Sequence, residues 1–242
     1  MKVAGAFRRQ LATPGIWSNV DHSRDYVGKK PVTGEAILRE TDVVVRMTKQ
    51  TINDVWISLW LIAECKSSSK DPWVLFRGSW DSQLSPLRAF EDGWEIRKSE
   101  GLDLAKLEGW TGTRLLNSTH LQYCYSAAST SERNYARDAI LEVLSAVEGV
   151  ADDTPITSDH LTAAIFVPVV ITSAPLFAVT LQQDGNYEVK PTTRELLVGR
   201  FTAENQVPRA VWIVSGAEVD DFAIEYTQAL THLIYRDARL GN

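Results

Sequence analysis

Two cysteines in 242 residues, Cys65 and Cys124, are too few for a disulfide framework and point to a reducing compartment. Histidine is scarce too: His22, His120, His160 and His232 are scattered, and none has the spacing of a zinc site. Positive charge is in deficit. The 25 lysines and arginines against 31 aspartates and glutamates leave a formal charge of −6. That counts against tight nonspecific binding of nucleic acid by the whole surface, but leaves room for a local basic groove. There is no internal repeat and no low-complexity linker. The opening "MKVAGAFRRQLATPG" meets arginines before any long apolar stretch, so no secretory signal is expected. One uncharged run, residues 161–181, is long enough to span a bilayer. It contains Pro168 and Pro175, is rich in β-branched residues and breaks at "TSAP", so it reads as two buried strands with a turn between them.

What remains is an ordinary globular composition, 44% hydrophobic and 23% charged, with eight tryptophans to supply apolar surface. Residues 2–12 suggest a short helix, followed by a polar stretch to residue 34. "EAILRETDVVVRM" reads as a strand, "TKQTIND" as a turn centred near residue 53, and "VWISLWLIAECK" as the clearest strand of the chain. Its odd positions, Val55 to Cys65, are all apolar, so one face is core; the even face turns polar only at its end, with Glu64 and Lys66. "PWVLF" is a short strand. Residues 79–128 are expected to be helical with loops, and 129–149 a helix capped by Ser129 and Glu132 and closed by Gly149. Strands follow near 163–171, 175–182, 194–201 and 209–214. A last helix opens at a capping box of Ser215 and Glu218. Mixed strands and helices without strict alternation indicate one α+β or α/β domain.

Two charges at the end of an apolar strand require an explanation. The preceding strand carries Glu40 and Asp42, two apart on one face. A turn at 53 sets Asp42 opposite Glu64, because 42 and 64 average 53. Facing carboxylates repel unless a cation lies between them. Magnesium takes oxygen ligands, one or two carboxylates plus a phosphate, and polarises a phosphodiester while lowering the pKa of a bound water. Lys66 would then stand beside the attacking water or a phosphate oxygen. A strand-end ion pair is the plainer alternative, worth at most ~1 kcal/mol if exposed. "YEVKP" has the same spacing at Glu188 and Lys190 but no apolar lead-in and no aspartate-bearing partner, so it reads as a surface strand. "SSSK" fits Ser-x-x-Lys but lacks the helix start and further motifs of that hydrolase pattern.

Asp42, 21 intervening residues and then "ECK", with "RETDVVV" before "LIAECKSSSKDPWVLF", resembles the PD-(D/E)XK, or restriction-endonuclease-like, nuclease superfamily. The resemblance implies a central mixed β-sheet flanked by helices, a single domain over 1–242, and a helical insertion around 79–150. It implies catalytic Asp42, Glu64 and Lys66, with Mg²⁺ or Mn²⁺ held at Asp42, Glu64 and Cys65, although the Cys65 side chain lies on the core face as an inert thiol. It implies DNA, or RNA, as partner in the cytoplasm, no membrane, and it allows a homodimer. Lys70 and Arg77, with Arg8 and Arg9 from the first helix, are the candidate phosphate contacts. The family's proline before the aspartate is Thr41 here. Its first-helix glutamate has no counterpart in residues 1–34, which contain none, leaving Glu40, Asp21 or Asp25 for that role. A catalytically weak or inactive binding domain of the same fold is the alternative.

Overall fold

Strand β3 (Trp56–Lys66) carries the longest apolar run of the hairpin region, and the sheet is assembled around it. In the computed structural model the described residues are 2–11, 15–29, 36–51, 53–67, 71–77, 93–108, 124–129, 134–156, 160–199, 201 and 209–235. Strands β1 (Ile16–Lys29) and β2 (Ala36–Gln50) form a long antiparallel pair, and β2 pairs antiparallel with β3. On its other edge β3 runs parallel to β8 (Thr162–Thr172), from Trp56↔Thr162 to Lys66↔Thr172 without interruption. The remaining strands are β4 (Trp73–Arg77), β5 (Glu95–Lys98), β6 (Leu107–Glu108), β7 (Cys124–Ser129), β9 (Leu176–Leu181), β10 (Tyr187–Thr192), β11 (Arg194–Gly199), β12 (Arg209–Ser215) and β13 (Ile234–Tyr235). The sheet order is β1-β2-β3-β8-β12-β11-β7-β4-β9-β10, with β5 also beside β8, while β6 and β13 pair separately. With α1 (Lys2–Gln10), α2 (Tyr135–Asp152) and α3 (Val219–His232), this is an α+β architecture with a mixed central sheet.

Both faces of the sheet are core. Odd residues of β3, Ile57 to Ala63, join Val43, Val45 and Met47 under α1 and α3, whose Phe7, Phe222 and Leu230 are fully buried. The Tyr226 hydroxyl of α3 donates to the Leu59 carbonyl at 2.7 Å, with the Val45 carbonyl at 3.0 Å, and so pins the helix to the hairpin beneath. The even face, which turns polar only at its end, is core before that: Trp60 and Ile62 are buried with Val44, Phe166 and Val170 beneath α2, whose Ala139, Ile140, Val143 and Val147 form the facing stripe. Ser58, the polar residue on that face, is buried and satisfied by Thr48 Oγ1 at 2.9 Å.

Other differences have local causes. The polar stretch after α1 is mostly β1: an outermost strand can be polar on its wet side, so its sequence lacks a strand's apolar alternation. Ser129 and Ser215 end strands instead of capping helices; Asn134 caps α2, accepting from the Arg137 N–H at 3.2 Å, and Glu218 at the start of α3 makes no side-chain cap bond. Glu132 lies outside the described residues. Residues 79–150, expected as a helical insertion, contain strands β5 to β7 as well as α2 among their described positions. The run 161–181 forms β8 and β9, and among the described residues no helix is long and apolar enough to cross a membrane.

Gly149 does not close α2, which continues to Asp152. A Cβ there would stand 2.5 Å from Tyr26 Cδ2 and 2.8 Å from the Val27 carbonyl oxygen, so the residue is a glycine because the far half of β1 lies against the helix. In an ordinary helix Gly→Ala is worth about 1 kcal/mol in favour of alanine. Gly149→Ala should instead destabilise by about 1–3 kcal/mol, the usual range for overpacking, as read from urea unfolding; a stabilised variant would mean that β1 does not press on α2.

Candidate active site

The β2–β3 ladder runs from Gln50↔Trp56 to Val43↔Ala63, the register of a turn centred at 53. The next pair would be Asp42 opposite Glu64. There the ladder stops and side chains take over: Asp42 Oδ2 accepts the Cys65 amide N–H at 2.6 Å, and Thr41 Oγ1 donates to the Ala63 carbonyl at 3.2 Å. Ser23, which the β1–β2 register sets opposite Asp42, has a left-handed φ of 54°. It reverses the alternation of β1. Ile16 and Val20 pack toward the core under α1 and α3, whereas Tyr26 packs toward α2. On the other edge β3 stays paired to β8 through Lys66, which holds Glu64 and Lys66 in extended backbone on the α2 side.

α2 completes the cluster. Lys66 Nζ donates to Glu64 Oε1 at 2.8 Å and to Glu142 Oε2 at 2.5 Å, with the three side chains partly buried. Burial pushes the Glu64 carboxyl above its ordinary value; Lys66 pulls it down, and the charges of Asp42 and Glu142 push it up again. Burial alone would lower Lys66, but its bonds to Glu142 and Glu64 outweigh that, and its pKa is raised. One ammonium thus stands against three carboxylates, an excess of negative charge in a half-buried place.

Cys65 requires a correction as a metal ligand. Its side chain packs toward the core under α1 and α3, opposite the carboxylates. Burial first, then Asp42 and Glu64, pushes the thiol up to about 12, so it stays protonated at neutral pH. Only its main chain is available: in an extended strand the N–H and C=O of one residue point to the same edge, so the carbonyl faces the edge where Asp42 takes the N–H. Asp42, Glu64 and that carbonyl are hard oxygen donors of the kind magnesium accepts. Among the described residues no three His, Cys, Asp or Glu side chains form a metal cage. The set is therefore two carboxylates, and the rest of a coordination shell would come from main chain, water and substrate.

The other expected residues are not brought to this place. Arg77 pairs with Glu195, its Nε 3.3 Å from Oε2, and Thr192 Oγ1 donates to the same carboxylate at 2.8 Å; Glu195 is 2% exposed, so Arg77 serves as its counter-ion and is not a free phosphate contact. Arg8 and Arg9 belong to α1, on the opposite side of the sheet; Arg8 donates to the Val20 carbonyl and Arg9 pairs with Asp220 of α3. Lys70 lies outside the described residues. Glu40 is exposed and sits opposite Asp25. Glu188 and Lys190 form an exposed ion pair at 2.7 Å on β10. The residue that sequence reasoning missed is Glu142. Its signal was a charge placed three residues after Ala139 and four before Ala146, on the apolar side of α2.

Comparison of the chain with protein-family models, with curated proteins and with solved structures gave no match.

Two outcomes test these assignments. Arg77→Ala leaves the Glu195 charge buried without its guanidinium and should cost about 3–5 kcal/mol of stability, seen in chemical denaturation; a loss of nucleic-acid affinity at unchanged stability would reverse the assignment. For Glu64 the raised pKa means that the folded state holds the proton more tightly than the unfolded chain. Stability is therefore lost as pH rises from the ordinary value near 4.5 through the raised one. Glu64→Gln avoids that loss. It should melt higher than the parent at pH 7, with the gap closing toward pH 4.5; a lower melting temperature at neutral pH would show that the carboxylate is a net stabilising partner.

Proposed function

We propose that the chain is a divalent-metal-dependent nuclease that hydrolyses phosphodiester bonds of DNA, with a restriction-endonuclease-like core. One observation carries the reading: Asp42 and Glu64 stand one step past the last pair of the antiparallel β2–β3 ladder, in a register that sets them opposite each other, with Lys66 on the same face. The mixed sheet with helices on both faces suits that core. The unbalanced negative charge supports a cation there, since Asp42 and Glu142 both oppose ionisation of Glu64.

Asp42 and Glu64, with the Cys65 carbonyl, would hold the ion. When bound, magnesium supplies a Lewis acid toward a phosphate oxygen and a water of lowered pKa. The chain's own residues do the rest. Asp42 must release the Cys65 N–H or share one oxygen with it. With a cation beside it, Glu64 would no longer need Lys66 as its only counter-charge. Lys66 keeps its ammonium through Glu142 and can turn toward a phosphate oxygen or the attacking water. Glu142 is the tether that positions Lys66.

A second reading is favoured by a specific observation. Lys66 is held between two carboxylates and Asp42 is bonded to main chain, an arrangement that serves a catalytically weak nucleic-acid-binding domain equally well.

Incubation of supercoiled plasmid with Mg²⁺, Mn²⁺ or chelator separates the two. Cleavage should require the metal. Asp42→Asn, Glu64→Gln and Lys66→Ala should each lower it by about 100-fold or more, in line with the loss of a metal ligand or a transition-state donor. Glu188→Gln and Lys190→Ala should change it little. Equal losses at both Glu-x-Lys pairs, or cleavage in chelator, would overturn the nuclease.

A further inference from the structure

On the α2-side face of the hairpin, away from the carboxylates, the first three strands line an open groove of about 490 Å³ formed by Trp17, Ser18, Asn19, Arg46, Thr48 and Trp56. The volume is within the roughly 300–1,000 Å³ of small-ligand clefts. Trp17 and Trp56 reach toward each other across β2, their ring centroids 5.0 Å apart and their planes inclined by 32°. His160 continues the row at 6.3 Å from Trp56. Trp17 is the outermost ring and is 55% exposed, which leaves one of its faces open.

A second feature adjoins it and shares Arg46 with it. Arg46 and Arg24 both lie over the Trp60 ring, 4.9 and 5.5 Å from its centroid. Among the described residues neither guanidinium has a carboxylate partner. Arg46 donates to Thr48 Oγ1, and Asp21, two residues from Asn19, accepts from Asn19 instead. In a chain of net charge −6, two uncompensated arginines held by one ring form a local site for anions. Trp56, which backs the open Trp17 ring, and Trp60, which carries the two guanidiniums, are four residues apart on β3, about 13 Å of strand. That is beyond the base-to-phosphate reach of one nucleotide and suits a polymer.

We propose that this groove binds single-stranded nucleic acid, one base stacking on Trp17 and neighbouring phosphates resting on Arg46 and Arg24. The assignment rests on the nucleic-acid reading of the carboxylate end and specifies the form of substrate. Aromatic stacking with a cationic track is how unpaired strands are held, because every base offers a π-face once it is out of the duplex.

The test is fluorescence anisotropy of a short labelled oligothymidine with the full chain in Ca²⁺ buffer, repeated with the matching duplex, and a plasmid-cleavage assay on the same variants. Trp17→Ala should weaken oligothymidine binding about tenfold and Trp17→Phe should restore most of it. Arg46→Ala should weaken it by a similar factor and flatten the salt dependence by about one phosphate. The duplex should bind less tightly and ignore Trp17→Ala. No binding by the parent, Trp17→Ala within about twofold of the parent, or Trp17→Phe as weak as Trp17→Ala at unchanged melting temperature would each overturn the groove. Cleavage by the parent with no effect of Trp17→Ala on binding sinks the groove and leaves the nuclease standing. Binding that depends on Trp17 without metal-dependent cleavage does the reverse.

Discussion

Between Ile57 and Ala63 strand β3 is hydrogen-bonded to β2 and β8 along its two edges and buried on both faces, so it has no place for an uncompensated charge. The first positions free of that constraint are 64 and 66. There β2 has parted from β3, α2 supplies Glu142, and β8 still holds the backbone extended. The two charges at the end of the greasy strand are thus a consequence of where the enclosure ends. The same enclosure stiffens the support beneath them: Glu64 and Lys66 project from a strand that cannot slip by one residue without sending its whole buried set to the wrong side.

Identical spacing does not give identical chemistry. Glu188 and Lys190 pair on an exposed strand, where such a bridge contributes about 0–1 kcal/mol. Glu64 and Lys66 share their pairing with a third group from a helix and sit near a fourth at Asp42. The partial burial that raises the Glu64 pKa also strengthens any interaction that a cation or a phosphate would make at the same place.

Much of this arrangement was legible in the chain. The apolar run of residues 55–63 announced β3, and the turn at 53 fixed the register that brings Asp42 to Glu64, because a short hairpin leaves little freedom in pairing. The run 161–181 could only be buried strand once its prolines were weighed. What stayed hidden depended on tertiary contact. Glu142 is one charge on an amphipathic helix until α2 is laid over Lys66. β1 is polar because it is the outermost strand, and its alternation reverses at Ser23, so no single period runs through it. Arg77 looked like a free cation because its partner Glu195 is 118 residues away in sequence. The two capping boxes miss for one cause: a serine that ends a strand and a glutamate three residues on satisfy the pattern, while the helices begin further along, at Tyr135 and Val219.

The outermost strand at the far side of the sheet, β10, contains Pro191, opposite Phe177 of β9. Gln182 N–H donates to the Asn186 carbonyl at 2.8 Å, and alternation from that bond turns the main chain of residues 187, 189 and 191 outward. Proline therefore occupies an outward position and removes the donor that a further strand would need. At the opposite margin, the left-handed Ser23 interrupts β1 in the middle. Each of the two outermost described strands thus carries its own stop to growth, and a sheet of this width ends in margins ill-suited to template another copy. If two copies of the chain associate, their contact belongs on the helical layers or the loops, and the spacing between the two carboxylate sites would be set there, free of any strand register.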